Sequence, residues 1–230
     1  IIDDSGLEIE KGSRLTKISG TDIEDVIKEK SQRISQTNKT AERWSAMYEA
    51  ISTVERASVM TITYITPAGE EKTVKTKCAL NRPVTIKTPK AVFEKTDDIL
   101  IVNLCEAETF NEDFYESFMK RLEEENPKAI IFDVRGYPTY YFEKVLSHLT
   151  DKDMSNGFFR TPLTTLPNQA NMCYDINTGV IKPIEPHITI PCYFLADYRA
   201  MSWAETVLMY VKEYGLGTII GTPSTGTTGD

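Results

Sequence analysis

Ser202 and Glu205 stand three residues apart at the start of an apolar, periodic segment, and this spacing allows the serine two roles. In a capping box, the serine oxygen accepts from the amide three residues on, while the glutamate carboxylate reaches back to the serine amide. A nucleophile suits the same place, because a helix N-terminus favours developing negative charge. The Trp203 amide could then donate to an oxyanion. The segment by itself leaves both roles open.

A second group of polar residues follows the apolar run in IIFDVRGYP, where Asp133 and Arg135 end a predicted strand and Gly136 opens a turn. Charges at the carboxyl end of a parallel strand commonly face the crevice in which a ligand binds. The alternative is an Asp-Arg pair that only holds the turn together.

The two histidines are the obvious candidates for a general base. His148 falls on a predicted helix, about three turns from the Asp133 turn. His187 opens the strand that leads to Ser202, so we expect it near the opposite end of the sheet. Structural or surface roles are therefore expected for both, and no complete Ser-His-Asp triad within this chain.

The second half of the sequence alternates predicted strands with predicted helices. The strands are DILIVNL (98–104), KAIIFDV (128–134), HITIPCYFLA (187–196) and GTIIGT (217–222), and the helices are FNEDFYESFMKRLEEE, YYFEKVLSHL and SWAETVLMYVKEYG. This alternation predicts βαβ units and a largely parallel sheet with helices outside. Between residues 151 and 186 the sequence is rich in Asn, Pro, Thr and Gly, which predicts a long loop.

The first half is predicted to be a small strand-rich domain over residues 1–85, leaving 86–230 for a second domain. In GLEIEKGSRLTKISGTDIEDVI, short alternating apolar runs are divided by glycines, and a helix is predicted near Thr21. A second helix is predicted from Ala41 to Val54, with an apolar face formed by Trp44, Met47, Tyr48 and Ile51. Two strands, ASVMTITYIT and EEKTVKTKC, follow.

Composition excludes several classes of protein. The 230 residues carry a net charge of −8, the pI is near 5.0, and no extended Lys/Arg cluster occurs, which argues against nucleic-acid or anionic-membrane binding. No apolar run approaches the roughly 20 residues of a membrane span. The N-terminus does not resemble a signal peptide, but the chain can begin within a longer precursor.

The four cysteines predict neither a metal site nor a cofactor. Cys78, Cys105, Cys173 and Cys192 form no Cys-x-x-Cys pair and have no histidine close by in sequence, so zinc is not expected. Their even number permits disulfides without selecting them.

Three segments, taken in order, resemble the core of the C-terminal processing (tail-specific) serine peptidases, which have a PDZ domain ahead of a Clp/crotonase-like α/β core. The family's Asp-x-Arg-x-Asn-Pro-Gly-Gly falls on 133–140, its Ser-Ala-Ser-x-x-Glu on 200–205, and its Gly-Glu-x-Thr-x-Gly-Lys-Gly on 221–228. GLEIEKGSRLTKISGTDIEDVI resembles the PDZ core, with a helical insertion after it. The resemblance implies an α/β fold in which a PDZ-like domain (1–85) precedes a peptidase core (86–230) that continues past residue 230.

By the same resemblance, each candidate residue has a role. Ser202 is the nucleophile; the amides of Trp203, Thr139 and Tyr140 are oxyanion donors; and Asp133, Arg135, Gly136, Glu205 and Thr227 support them.

This chain departs from the family pattern at two places. Thr227 stands where the best-known members have a catalytic lysine, so no Ser-Lys dyad can form there. The Pro-Gly-Gly turn is replaced by Pro138-Thr139-Tyr140, whose bulkier side chains could close the site. GTPSTGTTG instead resembles a lysine-less branch, similar to the tricorn core, whose base is a histidine upstream of the PDZ domain and whose acidic partner lies downstream. Both partners would lie outside this chain.

The resemblance implies a serine endopeptidase that forms an acyl-enzyme at Ser202 after PDZ-like capture of a peptide or protein substrate. The alternative is a catalytically impaired peptide-binding protein on the same fold. An acyl-CoA enzyme with a crotonase-like core ranks lowest, because no glycine-rich oxyanion turn is present. The resemblance also implies a periplasmic, secreted or envelope-associated bacterial protein.

Overall fold

The computed structural model describes residues 9–51, 59–77, 91–108, 110–155, 159–164, 167–168, 170, 172–177 and 179–228. These belong to two compact units, residues 1–89 and residues 90–230. Several positions considered above lie outside the described residues: residues 6–8 of the PDZ-like segment, the end of the second predicted helix at 52–54, Cys78, the predicted domain boundary at 85/86, and Gly229.

The first unit contains an antiparallel sheet with the strand order β2-β1-β3-β4 and two helices. Its elements are β1 (Arg14–Ile18), β2 (Thr21–Asp22), α1 (Ile23–Ser31), α2 (Lys39–Ile51), β3 (Val59–Ile65) and β4 (Glu71–Lys77). The helix predicted near Thr21 begins at Ile23, because the Asp22 side chain caps it by accepting from the Glu24 amide at 2.9 Å.

Helix α2 buries its apolar face only in part. Its buried residues are Ala41, Ala46 and Ala50, and Met47 and Ile51 of the predicted face pack against the same core. Trp44 is exposed and stacks on Tyr48 at a centroid distance of 5.9 Å. The predicted helix is therefore present, with its buried face rotated toward the small alanine side chains.

The second unit is built on a five-stranded sheet with the order β13-β12-β7-β6-β5, in which β6, β7, β12 and β13 run parallel and β5 is antiparallel to β6. This mixed α/β architecture confirms the predicted fold class. The elements are β5 (Phe93–Thr96), β6 (Ile99–Asn103), α3 (Asp113–Glu125), β7 (Ala129–Asp133), α4 (Phe142–Leu146), β8 (Met154–Ser155), β9 (Phe159–Leu163), β10 (Cys173–Asn177), β11 (Val180–Ile181), β12 (Cys192–Ala196), α5 (Trp203–Tyr214) and β13 (Thr218–Gly221).

The stretch predicted as a long loop contains paired strands. Strand β9 pairs antiparallel with β10, and β8 pairs antiparallel with β11. Both are short pairs outside the main sheet, so local alternation of apolar residues is weak there and the sequence pattern does not show them.

The core of the second unit surrounds β7. The Phe132 ring contacts the rings of Phe118, Phe142 and Phe194 at centroid distances of 5.9, 4.9 and 5.1 Å. All four side chains are fully buried, and each contributes roughly 1.5–3 kcal/mol by leaving water. Helix α5 packs on this core through Ala204, Val207, Tyr210 and Val211. It is therefore a rigid support for the residue at its start.

The structure also bears on the membrane and cysteine expectations. None of the described helices has the length and apolar character that crossing a membrane requires. Cys173 and Cys192 are free thiols, and burial raises the pKa of the Cys192 thiol to about 12. Among the described residues, no group of three or more His, Cys, Asp or Glu side chains is arranged to hold a metal ion.

Candidate active site

The three segments that carry the candidate residues meet at one edge of the main sheet. Strands β7 and β12 are adjacent and parallel, with Leu195 opposite Asp133, and β13 is the next neighbour of β12. The carboxyl ends of parallel strands point to the same edge, where ligands commonly bind. The turns after β7, β12 and β13 are therefore brought together by the sheet topology.

Ser202 is the N-cap of α5 in an unusual backbone conformation. Its φ of 51° and ψ of −114° lie in a region that non-glycine residues rarely adopt. A strained strand-to-helix turn of this kind exposes the nucleophilic serine of α/β hydrolases, and Ser202 is likewise exposed. The same turn has the capping-box arrangement, in which the Ser202 oxygen faces the Glu205 amide and the Glu205 carboxylate reaches back to the Ser202 amide. The exposed hydroxyl therefore stands at the helix start, where a cap and a nucleophile share the same place.

Glu205 lies beneath this serine and is only 6% exposed. Its carboxylate accepts from the Ser202 amide and from amides and hydroxyls of the loop after β13. The loop donors are the Ser224 hydroxyl (2.7 Å), the Gly226 amide (2.6 Å), the Thr227 amide (3.0 Å) and hydroxyl (2.7 Å), and the Thr228 amide and hydroxyl (both 2.8 Å). The carboxylate therefore anchors the entire 224–228 segment to the start of α5.

The environment of Glu205 favours its charged form. Burial raises the pKa of this carboxyl, but the hydrogen bonds from Ser224, Thr227, Thr228 and the Gly226 amide lower it further, to about 2. No cation is needed to keep the group ionised, because donors surround it. At neutral pH Glu205 is an anion with its lone pairs occupied, which suits it to positioning rather than proton transfer.

Thr227 connects the serine to this network. Its hydroxyl donates to Glu205 Oε2 at 2.7 Å, and its oxygen accepts from the Ser202 amide at 3.1 Å. The same amide lies 3.2 Å from Glu205 Oε2. Because the Ser202 amide is engaged, the first amide available at the helix start is that of Trp203, which the helix itself leaves without a partner.

In the turn after β7, one of the predicted oxyanion donors has another partner. The Thr139 amide donates to the Leu104 carbonyl at 3.3 Å, and Thr139 is fully buried. Its carbonyl accepts from the Trp203 indole nitrogen at 3.3 Å. The Thr139 amide is therefore turned away from Ser202, because it is needed to tie this turn to β6. The expectation for Tyr140 remains a prediction.

Asp133 and Arg135 pair with each other. The Arg135 guanidinium donates to both carboxylate oxygens of Asp133, at 2.9 and 2.7 Å, and its amide donates to the same carboxylate at 3.0 Å. The Asp133 carboxylate holds the pKa of Arg135 above its usual range. At Gly136 a Cβ would lie 3.0 Å from Cys105 Sγ. This geometry supports the interpretation in which the pair holds the turn together.

An equivalent pair follows β12 and was missed at the sequence level. Arg199 Nη2 donates to Asp197 Oδ2 at 2.7 Å, and its amide donates to the same carboxylate at 2.9 Å. The signal was present, since DYR repeats the Asp-x-Arg spacing of DVR at the end of the neighbouring strand. The sequence-based prediction also missed Ser224 and Thr228. Their only sign in the sequence was their place in the same motif, GTPSTGTTG, as Thr227.

Neither histidine approaches Ser202. His148 is buried, and its Nδ1 lies 2.9 Å from the Pro186 carbonyl while its Nε2 lies 2.8 Å from the Tyr115 hydroxyl. Because a carbonyl can only accept, Nδ1 carries a proton, and Nε2 shares a hydrogen bond with the Tyr115 hydroxyl. His187 is exposed and precedes β12. In the part of the chain that the structure describes, no imidazole hydrogen-bonds to Ser202.

Comparison with known proteins gives one family and one fold. Residues 98–230 match the sequence model of peptidase family S41. Mature CPAF is similar in structure, with a TM-score of 0.63, 14% identity and 97% of this chain covered. Mature CPAF complexed with lactacystin gives a TM-score of 0.63 at 15% identity, again over 97% of this chain. This chain spans 65% and 66% of those two chains, just under two thirds. No curated protein sequence matches it.

Proposed function

The chain belongs to peptidase family S41, and from that premise we propose that it carries the nucleophile of a serine endopeptidase of the C-terminal processing type. The state of Ser202 carries the proposal. Ser202 is exposed at the start of the buried helix α5, and its φ of 51° lies in a region that non-glycine residues rarely adopt. Its amide is bonded by Glu205 and Thr227, so the backbone that presents the hydroxyl is held in place.

In the proposed reaction, Ser202 Oγ attacks the carbonyl carbon of the scissile peptide bond. The Trp203 amide, aided by the Tyr140 amide, donates to the oxyanion that forms. Collapse of this intermediate breaks the C–N bond, releases the amine product and leaves an ester on Ser202. Water then hydrolyses the ester and restores the hydroxyl.

The proton that leaves Ser202 needs an acceptor, which we place outside this chain. Both ring nitrogens of His148 are engaged elsewhere, and Glu205 is held as an anion by its donors. By resemblance to the lysine-less branch, the base is a histidine from a segment before residue 1, and its acidic partner follows residue 230. The supporting residues, Asp133, Arg135, Gly136, Glu205 and Thr227, then keep the nucleophile and its oxyanion site in place.

The first unit is proposed to capture the substrate as a PDZ-like domain. Its antiparallel sheet ends in β4, a seven-residue strand, to whose edge an extended peptide could add by β-augmentation. A truncated protein without residues 1–85 should then keep its reactivity toward small covalent probes and lose binding to long peptides. The family resemblance further implies export to the cell envelope, which fractionation of the native organism would test.

The test of the catalytic proposal uses a fluorophosphonate probe on the full-length protein. Labelling is expected in the wild type and should be lost in Ser202→Ala. Ser117→Ala, on the surface helix α3, is the matched control and should label normally. Lactacystin, with which mature CPAF is complexed in one structure, offers a second probe. A full-length protein that resists both probes at Ser202 would overturn the proposal.

One observation favours a second function, peptide binding without hydrolysis. The Thr139 amide donates to the Leu104 carbonyl, and the Tyr140 ring lies against the Trp203 ring at a centroid distance of 5.7 Å. The first contact removes one oxyanion donor, and the second places a large side chain next to Ser202. A full-length protein that binds peptides but resists covalent labelling would match this function.

A further inference from the structure

Four aromatic side chains form a continuous surface beside Ser202. We call Phe110, Tyr137, Tyr140 and Trp203 the aromatic ladder. Tyr140 is its centre, with centroid distances of 5.4 Å to Phe110, 5.9 Å to Tyr137 and 5.7 Å to Trp203. These are normal spacings for interacting rings. The ladder therefore joins the loop before α3, the turn after β7 and the start of α5.

The ladder is open to solvent at its outer members. Phe110 is 75% exposed, Tyr140 40% and Tyr137 36%. Exposed apolar surface that is contiguous, rather than scattered, commonly marks a binding site. Neighbouring rings also support one another, and the Tyr137 and Tyr140 hydroxyls share a hydrogen bond. Little side-chain entropy would be lost when a ligand covers such a surface.

The inner end of the ladder is the residue after the candidate nucleophile. The Trp203 indole is fixed by its hydrogen bond to the Thr139 carbonyl, and its amide is the proposed oxyanion donor. If the scissile carbonyl of a substrate lies at Ser202, the substrate side chains on either side of it are one or two residues away. Each residue of an extended chain spans roughly 3.3–3.6 Å. A substrate side chain beside the scissile bond can therefore reach the ladder.

The arginines on the surrounding turns are already paired. Arg135 is paired with Asp133, Arg199 is paired with Asp197, and Glu112 accepts from the Tyr141 hydroxyl. An acidic substrate side chain placed on the ladder would lose water and gain little in return. A flat or large apolar side chain would gain contact without this cost.

We propose that the aromatic ladder is the specificity surface of this site and that it binds a large apolar side chain, aromatic above all, next to the scissile bond of a peptide. This inference rests on the proposed peptidase function, which places the scissile bond at Ser202. The occupant is thus a substrate residue, selected by its side chain. The replacement of the family's Gly-Gly by Thr139-Tyr140 then supplies part of the selection.

The test measures binding separately from hydrolysis. The chain has two tryptophans, Trp44 and Trp203, so Trp44→Phe makes Trp203 the only tryptophan reporter in it. Ser202→Ala in the same protein prevents turnover. This double variant is titrated with capped alanine pentapeptides that carry phenylalanine, alanine or aspartate at the centre, and Trp203 fluorescence is followed.

The phenylalanine peptide is expected to change Trp203 emission and to bind about tenfold more tightly than the alanine or aspartate peptide. Adding Phe110→Ala or Tyr140→Leu should remove most of this preference, because either change interrupts the ladder. Tyr174→Ala, an exposed tyrosine on β10, is the matched control and should leave the preference intact. Circular dichroism confirms that each variant is folded.

Equal affinity for all three peptides, or a preference that survives both ladder variants, would overturn the proposal. Covalent labelling of the protein with an intact Ser202 is measured in parallel. If the phenylalanine peptide binds more tightly but Ser202 is not labelled by the probe, only the peptidase function is refuted. If Ser202 is labelled but the three peptides bind equally, only the proposal for the ladder is refuted.

Discussion

The Thr227 hydroxyl oxygen lies 3.1 Å from the Ser202 amide nitrogen, although the two residues are 25 positions apart. The same hydroxyl donates to Glu205. By the family resemblance, this is the position of the catalytic lysine in the best-known members. Under the proposed function, Thr227 would therefore hold the backbone of the serine and take no part in proton transfer.

Glu205→Gln is expected to destabilise the second unit by about 2–4 kcal/mol. The neutral amide brings an NH2 group against the hydroxyls and amides that now donate to the carboxylate, so several buried donors lose their acceptor. Urea unfolding measures the change. Glu213→Gln, an exposed glutamate on the same helix, is the control and should shift stability by less than about 0.5 kcal/mol. Equal effects of both variants would contradict the anchoring role.

The stability of this unit should depend on pH through Glu205. Its pKa is lowered from 4.5 to about 2 in the folded protein, so its charged form stabilises the fold above pH 4.5, and this stability is lost as pH falls toward about 2. The contribution is on the order of 3 kcal/mol. Urea unfolding between pH 7 and pH 2 should show a steeper loss in the wild type than in Glu205→Gln. Parallel profiles would contradict the prediction.

Thr227→Val should slow covalent labelling of Ser202 more than it affects folding. Valine keeps the shape but removes the hydroxyl that bonds both the Ser202 amide and Glu205, at a cost of about 1–2 kcal/mol. Probe labelling rates and urea unfolding are compared. Thr227→Ser retains the hydroxyl and should restore labelling; failure of this rescue would show that the methyl group, and not the hydroxyl, matters.

His148→Ala is expected to cost about 1–3 kcal/mol of stability because it removes a buried side chain together with its hydrogen bonds to the Tyr115 hydroxyl and the Pro186 carbonyl. Thermal or urea unfolding measures it. His187→Ala, at an exposed position, should be nearly neutral. Labelling of Ser202 at permissive temperature should persist in both variants, and its loss in either would assign that histidine to the reaction.

Much of the core could be predicted because its apolar patterns are local. The strands β6 and β7 lie inside the predicted segments, since buried parallel strands are nearly continuous apolar runs. Strand β13 also lies inside its predicted segment, although its residues are exposed. Strand β12 is shorter than predicted and begins at Cys192, because Pro191 has no amide to donate to the sheet. The apolar pattern of α2 identified Met47 and Ile51, which pack on the core, but not the alanines that are buried most deeply.

The sequence by itself determined that a serine stands at the start of an apolar helix, that a glutamate follows it by three residues, and that Asp-x-Arg and a Gly-Thr-rich segment each follow an apolar strand. These are properties of local spacing. Only the tertiary structure decided that Glu205 is saturated by residues 224–228, that the Ser202 amide bonds Thr227, and that the Thr139 amide donates to the Leu104 carbonyl. Such hydrogen bonds join residues distant in the chain, and the order of strands in the sheet sets which of them meet.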